Sequence, residues 1–117
     1  MSTQTFADFG VHQDIVDSLA DVGITSPFPI QSMTLPVALG GHDIIGQAKT
    51  GTGKTLGFGV PMLDRVVSPN DPEFGSLAYA GRPQGLAVAA TRERAGQVAG
   101  DLEKAGRRRG IRVLPVY

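Results

Sequence analysis

Apolar residues recur at helical spacing in four stretches of the chain, because residues three and four positions apart share one face of a helix. The first stretch covers residues 11–22, and Gly23 is expected to end it. The second runs from Pro29 to about Leu39. The third begins near Leu56, and the fourth begins at Arg92, with apolar residues at Ala95, Val98, Ala99, Leu102 and Ala105. We therefore predict four helices. Pro36 inside the second stretch predicts a kink or an early end there, and Pro61 in the third stretch also fits a helix poorly.

Three short apolar runs without helical spacing predict strands. Residues 43–47 precede a glycine-rich stretch, residues 86–90 follow turn signals, and residues 111–117 complete the sequence. Continuous apolar runs of this length are typical of strands that are buried on both faces of a parallel sheet. The alternation of helices with such strands predicts an α/β fold. A surface loop is predicted at residues 68–84, which contain several prolines and glycines and show little periodicity.

The stretch Ala48-Lys49-Thr50-Gly51-Thr52-Gly53-Lys54-Thr55 lies between a predicted strand and a predicted helix. Glycines let the backbone approach an anion closely, so that several N–H groups can point at phosphates. Lys54 can reach the β- and γ-phosphates, and the Thr55 hydroxyl can bind Mg²⁺. We predict that this stretch binds a nucleotide. The alternative is a glycine-rich turn that happens to end in Lys-Thr.

Composition narrows the class of protein. The 117 residues allow one small domain, and the hydrophobic fraction of 41% fits a packed core. The absence of cysteine excludes disulfides and thiolate metal sites. The first residues lack a basic segment followed by an apolar one, and no apolar run has the length of a membrane span, so we expect a soluble cytoplasmic protein.

Charge is distributed unevenly although the formal net charge is zero. Residues 1–47 carry five Asp and no Lys or Arg, whereas residues 48–117 carry all eleven basic residues against six acidic ones. A basic half beside a phosphate-binding stretch is compatible with a nucleic-acid partner, although charges also cluster by chance on solvated faces. For Arg107-Arg108-Arg109 we favour a solvated helix end over an RNA-binding patch.

The segment Gly23-Ile24-Thr25-Ser26-Pro27-Phe28-Pro29-Ile30-Gln31, with Phe6 seventeen residues ahead of Gly23, resembles the Q motif of DEAD-box ATP-dependent RNA helicases. In that family the glutamine amide reads the adenine edge, and the upstream aromatic residue stacks on the base. The resemblance implies these roles for Gln31 and Phe6, and a glutamine amide offers the donor and acceptor that adenine matches. The alternatives are a core residue for Phe6 and a polar surface residue for Gln31.

Two further segments extend the resemblance. Residues 48–55 resemble motif I of the family, where alanine at the first position is usual. The resemblance implies that all eight residues bind ATP, that Lys54 and Thr55 are catalytic, and that Thr55 binds Mg²⁺.

Ala90-Thr91-Arg92-Glu93-Arg94-Ala95 resembles motif Ia, Pro-Thr-Arg-Glu-Leu-Ala, with Ala90 for proline and Arg94 for leucine. By that match Thr91 and Arg92 contact the RNA backbone without reading its sequence. An Arg94 that faced the core would have to extend to solvent or cost stability.

The resemblance implies a partial RecA-like P-loop NTPase domain, in which a parallel sheet is flanked by helices. It implies RNA-stimulated ATP hydrolysis coupled to RNA duplex unwinding. Residues 1–117 are expected to form the N-terminal half of the first RecA-like domain, with the Q motif at about residues 4–32 and without the second half or a second domain. The sequence contains no Asp-Glu-Ala-Asp, so we expect this chain alone not to hydrolyse ATP at a useful rate. The alternatives are a non-catalytic nucleotide-binding fragment and a truncated helicase with no independent activity.

Overall fold

Residues 4–46, 54–69, 71–76 and 82–116 are described by the computed structural model, except the side chains of residues 73 and 76. Within these ranges the helices are a 3₁₀ helix at Phe6–Phe9, α1 (Gln13–Asp21), α2 (Pro29–Leu39), α3 (Lys54–Arg65), a 3₁₀ helix at Pro72–Ser76 and α4 (Arg92–Gly106). The four predicted helices are confirmed. In this part of the chain, no helix is both long and apolar enough to cross a bilayer.

Local polar contacts and one glycine set the ends of the helices. His12 precedes α1, and its Nδ1 accepts a hydrogen bond from the Asp14 N–H at 3.1 Å. At the other end, Gly23 follows the last residues of α1 with a φ of 81°, a left-handed conformation that glycine adopts without a steric penalty. Thr91 begins α4 in the way that His12 begins α1, since its Oγ1 accepts from an N–H of the first turn.

The prolines inside α2 and α3 do not end these helices. Pro36 lies within α2, and Pro61 lies within α3 and is buried. A proline removes one helical hydrogen bond. Both helices nevertheless bury the apolar residue directly before the proline, Leu35 in α2 and Val60 in α3. This packing stabilises the continuous helices, so the early end considered for α2 at Pro36 is wrong, and a kink there stays a prediction.

The core lies around α3, which packs against α1, α2 and α4. Burying a large apolar side chain stabilises a fold by about 1.5–3 kcal/mol, and every helix of this group contributes at least one. The buried apolar residues of the described ranges are Phe6, Val11, Ile15, Leu19, Leu35, Leu56, Val60, Leu63, Leu102 and Ala105. The position of α3 is therefore fixed from three sides.

The predicted sheet is not confirmed, because no strand forms in the ranges that the structure describes. Residues 42–46, 85–89 and 111–116 have no regular secondary structure, and no backbone hydrogen bond joins any two of these segments. Many of their apolar side chains are strongly exposed, as at Ile45 (100%) and Val88 (88%), whereas Ile111 and Val113 pack partly against the core. A strand is stabilised above all by a paired neighbour, and in the described ranges these segments have none.

Candidate nucleotide-binding site

Lys54 and Thr55 are the first two residues of α3. Lys54 is exposed, and Thr55 is partly buried. The first N–H groups of a helix lack partners within it, and this end carries positive partial charge, so the start of α3 favours a phosphate group. An ammonium group and a hydroxyl thus lie at a helix end suited to an anion. The other predicted phosphate-binding residues, 48–53, lie outside the described residues.

Gln31 lies in the first turn of α2 and is buried, with 1% of its surface exposed. Its Oε1 accepts a hydrogen bond from the Phe28 N–H at 2.9 Å, which holds the residue before the helix against the first turn. Pro29 is the first residue of α2, a position that its fixed φ favours. The alternative of a polar surface residue is therefore wrong for Gln31. If Gln31 also contacts adenine, its side-chain amide must bind the base while its Oε1 still accepts from the Phe28 N–H.

Phe6 lies in the core and not on an open surface. Its exposure is 1%, and it belongs to the buried apolar cluster around α3. The 3₁₀ helix that it begins is held by the Thr5 N–H, which donates to Asp8 Oδ2 at 2.8 Å. This burial favours the core alternative for Phe6. Its stacking on adenine would require the ring to leave the core and stays a prediction.

Thr91 and Arg92 lie on the surface at the start of α4. The Thr91 Oγ1 accepts a hydrogen bond from the Arg94 N–H at 3.1 Å, so this residue also fixes where the helix begins. Arg94 is exposed, and its charge is therefore not placed in the core. An exposed helix start with a hydroxyl and a guanidinium suits a phosphate-backbone contact, and the RNA-binding role of both residues stays a prediction.

Two glycines of α3 face two of its neighbours, α2 and α4. A Cβ built on Gly57 would lie 3.6 Å from Oγ1 of Thr34 in α2. A Cβ built on Gly59 would lie 2.6 Å from Cδ2 of Leu102 in α4. The helix that begins at Lys54 therefore packs directly against the helix that carries Gln31 and against the helix that begins beside Thr91.

Comparison with known proteins agrees with this arrangement. The sequence profile of the DEAD/DEAH box helicases matches residues 28–117. The chain belongs to this family. DEAD-box ATP-dependent RNA helicase CshA of Bacillus cereus is 43% identical over 113 residues, which cover 97% of this chain and 20% of that protein. CshA of Bacillus subtilis is 38% identical over 115 residues, which cover 98% and 21%. The chain thus spans about a fifth of the length of the curated relatives it matches.

The structure of this chain superposes on solved structures of larger proteins. The RNA helicase Prp28 from Chaetomium thermophilum, bound to ADP, superposes with a TM-score of 0.74 at 31% identity, over 97% of this chain and 26% of that one. Dbp5 of S. cerevisiae, bound to RNA and ADP BeF3, superposes with a TM-score of 0.71 at 26% identity, over 91% and 25%. The RecA-like fold is confirmed by these neighbours, whereas the parallel sheet is not.

Arg109 has a structural role that no pattern in this DEAD/DEAH box sequence indicates. It is buried, its Nη2 pairs with Asp71 Oδ2 at 2.8 Å, and its Nη1 donates to the carbonyls of Leu63 and Asp64 near the end of α3. The solvated helix end predicted for residues 107–109 is therefore wrong for Arg109. Its partners lie 38 to 46 positions away in sequence, which is why the arginine run gave no sign of them.

A Mg²⁺ ion fits the start of α3 as a partner of bound phosphates. In the described part of the chain, no group of three or more His, Cys, Asp and Glu side chains could hold a metal ion. Mg²⁺ usually keeps several waters and takes most of its remaining ligands from phosphates and from one or two protein groups. The Thr55 hydroxyl would be one protein ligand of an ion that arrives with a nucleotide.

Proposed function

We propose that this chain supplies the ATP-binding segment of an RNA helicase, in which RNA-stimulated ATP hydrolysis is coupled to the unwinding of RNA duplexes. The observation that carries the proposal is the contact between α2, which holds Gln31, and α3, which begins with Lys54 and Thr55. This contact holds the Gln31 amide and the N-terminal end of α3 on one packed unit, as the proposed ATP site requires. The relatives named CshA and the RNA-bound and nucleotide-bound Dbp5 structure support the same function.

ATP would be held at both of its ends. Lys54 would act as a point charge on the β- and γ-phosphates, next to the N–H groups of the first turn of α3. Gln31 would read the adenine edge while its Oε1 still accepts from Phe28 N–H. Because that bond already orients the amide, little side-chain freedom would be lost when ATP binds.

Mg²⁺ would be held by the Thr55 hydroxyl together with phosphate oxygens and water. When bound, the ion neutralises part of the phosphate charge. Thr55 is partly buried on the first turn of α3, so its hydroxyl needs little reorganisation to serve as a ligand.

RNA would be contacted through its sugar-phosphate backbone by Thr91 and Arg92. Both residues are exposed at the start of α4, where the helix end and the guanidinium favour phosphate. Such contacts give affinity without sequence preference. The cytoplasmic location expected from the sequence stays a prediction that cell fractionation would check.

The test of the proposed function is ATP binding by Lys54→Ala. In calorimetry with Mg²⁺, we expect this variant to lose at least about tenfold in affinity, because a charge-assisted contact is worth about 1.5–3 kcal/mol. Lys104→Ala is the matched control, since Lys104 is an exposed lysine in the last turn of α4, and it should bind ATP as the original chain does. Equal affinity in both variants would contradict the assignment of the phosphate site.

Nucleotide binding without hydrolysis is a second candidate for the chain by itself. It is favoured by the absence of Asp-Glu-Ala-Asp from the 117 residues, since that motif's carboxylates would hold Mg²⁺ and orient the attacking water. We expect the purified chain to bind ATP and to release phosphate at the rate of buffer alone, with or without RNA. Phosphate release that RNA stimulates would contradict this second candidate.

A further inference from the structure

Thr34 lies one turn beyond Gln31 in α2, and its side chain is held in a single orientation. The Oγ1 hydroxyl donates a hydrogen bond to the carbonyl of Ile30 at 2.9 Å, the usual partner of a threonine inside a helix. The residue is partly buried. Because this bond restricts rotation about χ1, the methyl and the hydroxyl point in fixed directions.

Each branch of Thr34 faces a glycine of another segment. A Cβ built on Gly57, at the end of the first turn of α3, would lie 3.6 Å from Oγ1. A Cβ built on Gly46 would lie 3.6 Å from the methyl Cγ2 and equally far from Cδ1 of Ile30. These two glycines bracket the phosphate-binding stretch in sequence. The side chain of Thr34 therefore lies between Gly46, two residues before this stretch, and Gly57, two residues after it.

We propose that Thr34 is a positioning residue for ATP binding. Its two branches fix the first turn of α3, and with it Lys54 and Thr55, relative to Gln31. The inference rests on the proposed function, because it concerns the same ATP site. Thr34 acts on the phosphate end of the ligand through α3 and makes no contact with the nucleotide itself.

Three substitutions separate the two branches of Thr34. Thr34→Val keeps the shape of both branches and removes only the hydroxyl, Thr34→Ser removes the methyl that faces Gly46, and Thr34→Ala removes both. If steric contact positions α3, Thr34→Ala should weaken ATP binding by about five- to tenfold, Thr34→Ser by less, and Thr34→Val hardly at all. Met33→Ala is the control, since Met33 is the adjacent residue and is 74% exposed.

The affinity for AMP distinguishes a role of Thr34 in positioning α3 from a general loosening of the fold. It lacks the β- and γ-phosphates that Lys54 is proposed to bind, so its affinity should be unchanged in all four variants. ATP is measured by calorimetry on the purified chain with Mg²⁺, and AMP by competition against a fluorescent ATP analogue. Both are measured at a temperature where circular dichroism shows every variant folded. If Thr34→Ala does not fold, Thr34→Ser gives the decisive comparison with Thr34→Val.

Three results would overturn the positioning role. These are unchanged ATP affinity in Thr34→Ala, a parallel loss of AMP affinity, and a loss in Thr34→Val as large as in Thr34→Ala. Lys54→Ala is measured in the same series. If it loses ATP binding while Thr34→Ala keeps it, only the inference about Thr34 fails. If neither variant changes ATP binding, the proposed function fails as well.

Discussion

Gly59 and Leu102 meet where α3 packs against α4, and a Cβ built on Gly59 would lie 2.6 Å from Cδ2 of Leu102. Both residues are buried. Carbon atoms that are not bonded to each other normally approach to about 3.5–4.0 Å. The close contact of the two helices therefore depends on the missing side chain at position 59, and any larger residue there requires Leu102 to move.

Gly59→Ala and Gly57→Ala should change stability in opposite directions. Alanine raises helix propensity by about 1 kcal/mol in both variants, but overpacking against Leu102 costs about 1–3 kcal/mol in the first. At Gly57 the new Cβ would make an ordinary contact, 3.6 Å from Thr34 Oγ1. We expect urea unfolding, followed by circular dichroism, to show Gly57→Ala stabilised and Gly59→Ala destabilised by about 1 kcal/mol.

A double-mutant cycle checks the cause of the Gly59→Ala effect. Leu102→Ala should cost less in the Gly59→Ala background than in the original chain, because the added methyl partly fills the space and the clash is relieved. Additive losses, or an equal gain of stability in Gly57→Ala and Gly59→Ala, would show that a methyl group at position 59 does not clash with Leu102.

Arg109→Met should destabilise the chain much more than Arg108→Met. The first change leaves the Asp71 carboxylate and the buried carbonyl of Leu63 without the guanidinium, and removing one partner of a buried pair costs about 3 kcal/mol. Arg108 is about half exposed and pairs with Asp21 on the surface, where such pairs contribute little. Urea unfolding of both variants measures the difference, and similar small losses would argue against the buried role of Arg109.

The helices of this chain could be predicted because their signals are local. Pro29 and Leu39 are the predicted and the observed ends of α2, and Gly23 ends α1 in the left-handed conformation that its position suggested. Arg109 could not be predicted, because only folding brings Asp71 and the end of α3 to it. Strands depend on pairing between distant segments, which a local apolar run does not provide. Val88 lies in such a run, but it is exposed and the run forms no strand.

The candidate site divides in the same way. Motif spacing predicted Gln31 and Lys54, and the structure places both on helices that pack together. The hydrogen bond from the Phe28 N–H to the Gln31 Oε1 could not be predicted. A glutamine amide can bind a nucleotide base or a backbone N–H group equally well. The burial of Phe6 was not predictable either, because an aromatic residue near a nucleotide motif fits a core and a base equally well.

Asp21→Asn should make stability less sensitive to acid. The Asp21 carboxylate accepts hydrogen bonds from Nε and Nη2 of Arg108, both at 2.7 Å, and these bonds, with the charges of Arg108 and Arg107, lower its pKa below the ordinary value. Since the pKa is lower in the folded chain than in the unfolded one, this contribution to stability is complete above the unfolded pKa of about 4 and is lost as the pH falls through the folded value.

Thermal unfolding from about pH 5 to about pH 2 measures this contribution. The midpoint of the original chain should fall more steeply with acid than that of Asp21→Asn. The difference should be small and should shrink in high salt, because the pair is exposed and therefore screened. Parallel pH curves for the two chains would mean that the ion pair does not form in solution.

Gln31→Glu and Gln31→Ala should separate the two roles of this side chain. The glutamate keeps an oxygen for the Phe28 N–H but loses the amide NH₂ that adenine requires, so it should bind ATP about tenfold more weakly while GTP affinity changes little. The alanine also releases the turn, because it leaves the part-buried Phe28 N–H without its side-chain partner. Both nucleotides should therefore bind Gln31→Ala more weakly, with ATP losing more.

Calorimetry with ATP and GTP on each variant checks this pair of outcomes, and Gln97→Ala on the exposed face of α4 is the control. Equal losses of ATP and GTP in Gln31→Glu would leave the glutamine with its structural role alone, because a loss that does not distinguish the two bases does not come from reading adenine. A selective loss of ATP would instead assign the base to Gln31. In that case the bond to Phe28 orients the amide before the nucleotide arrives.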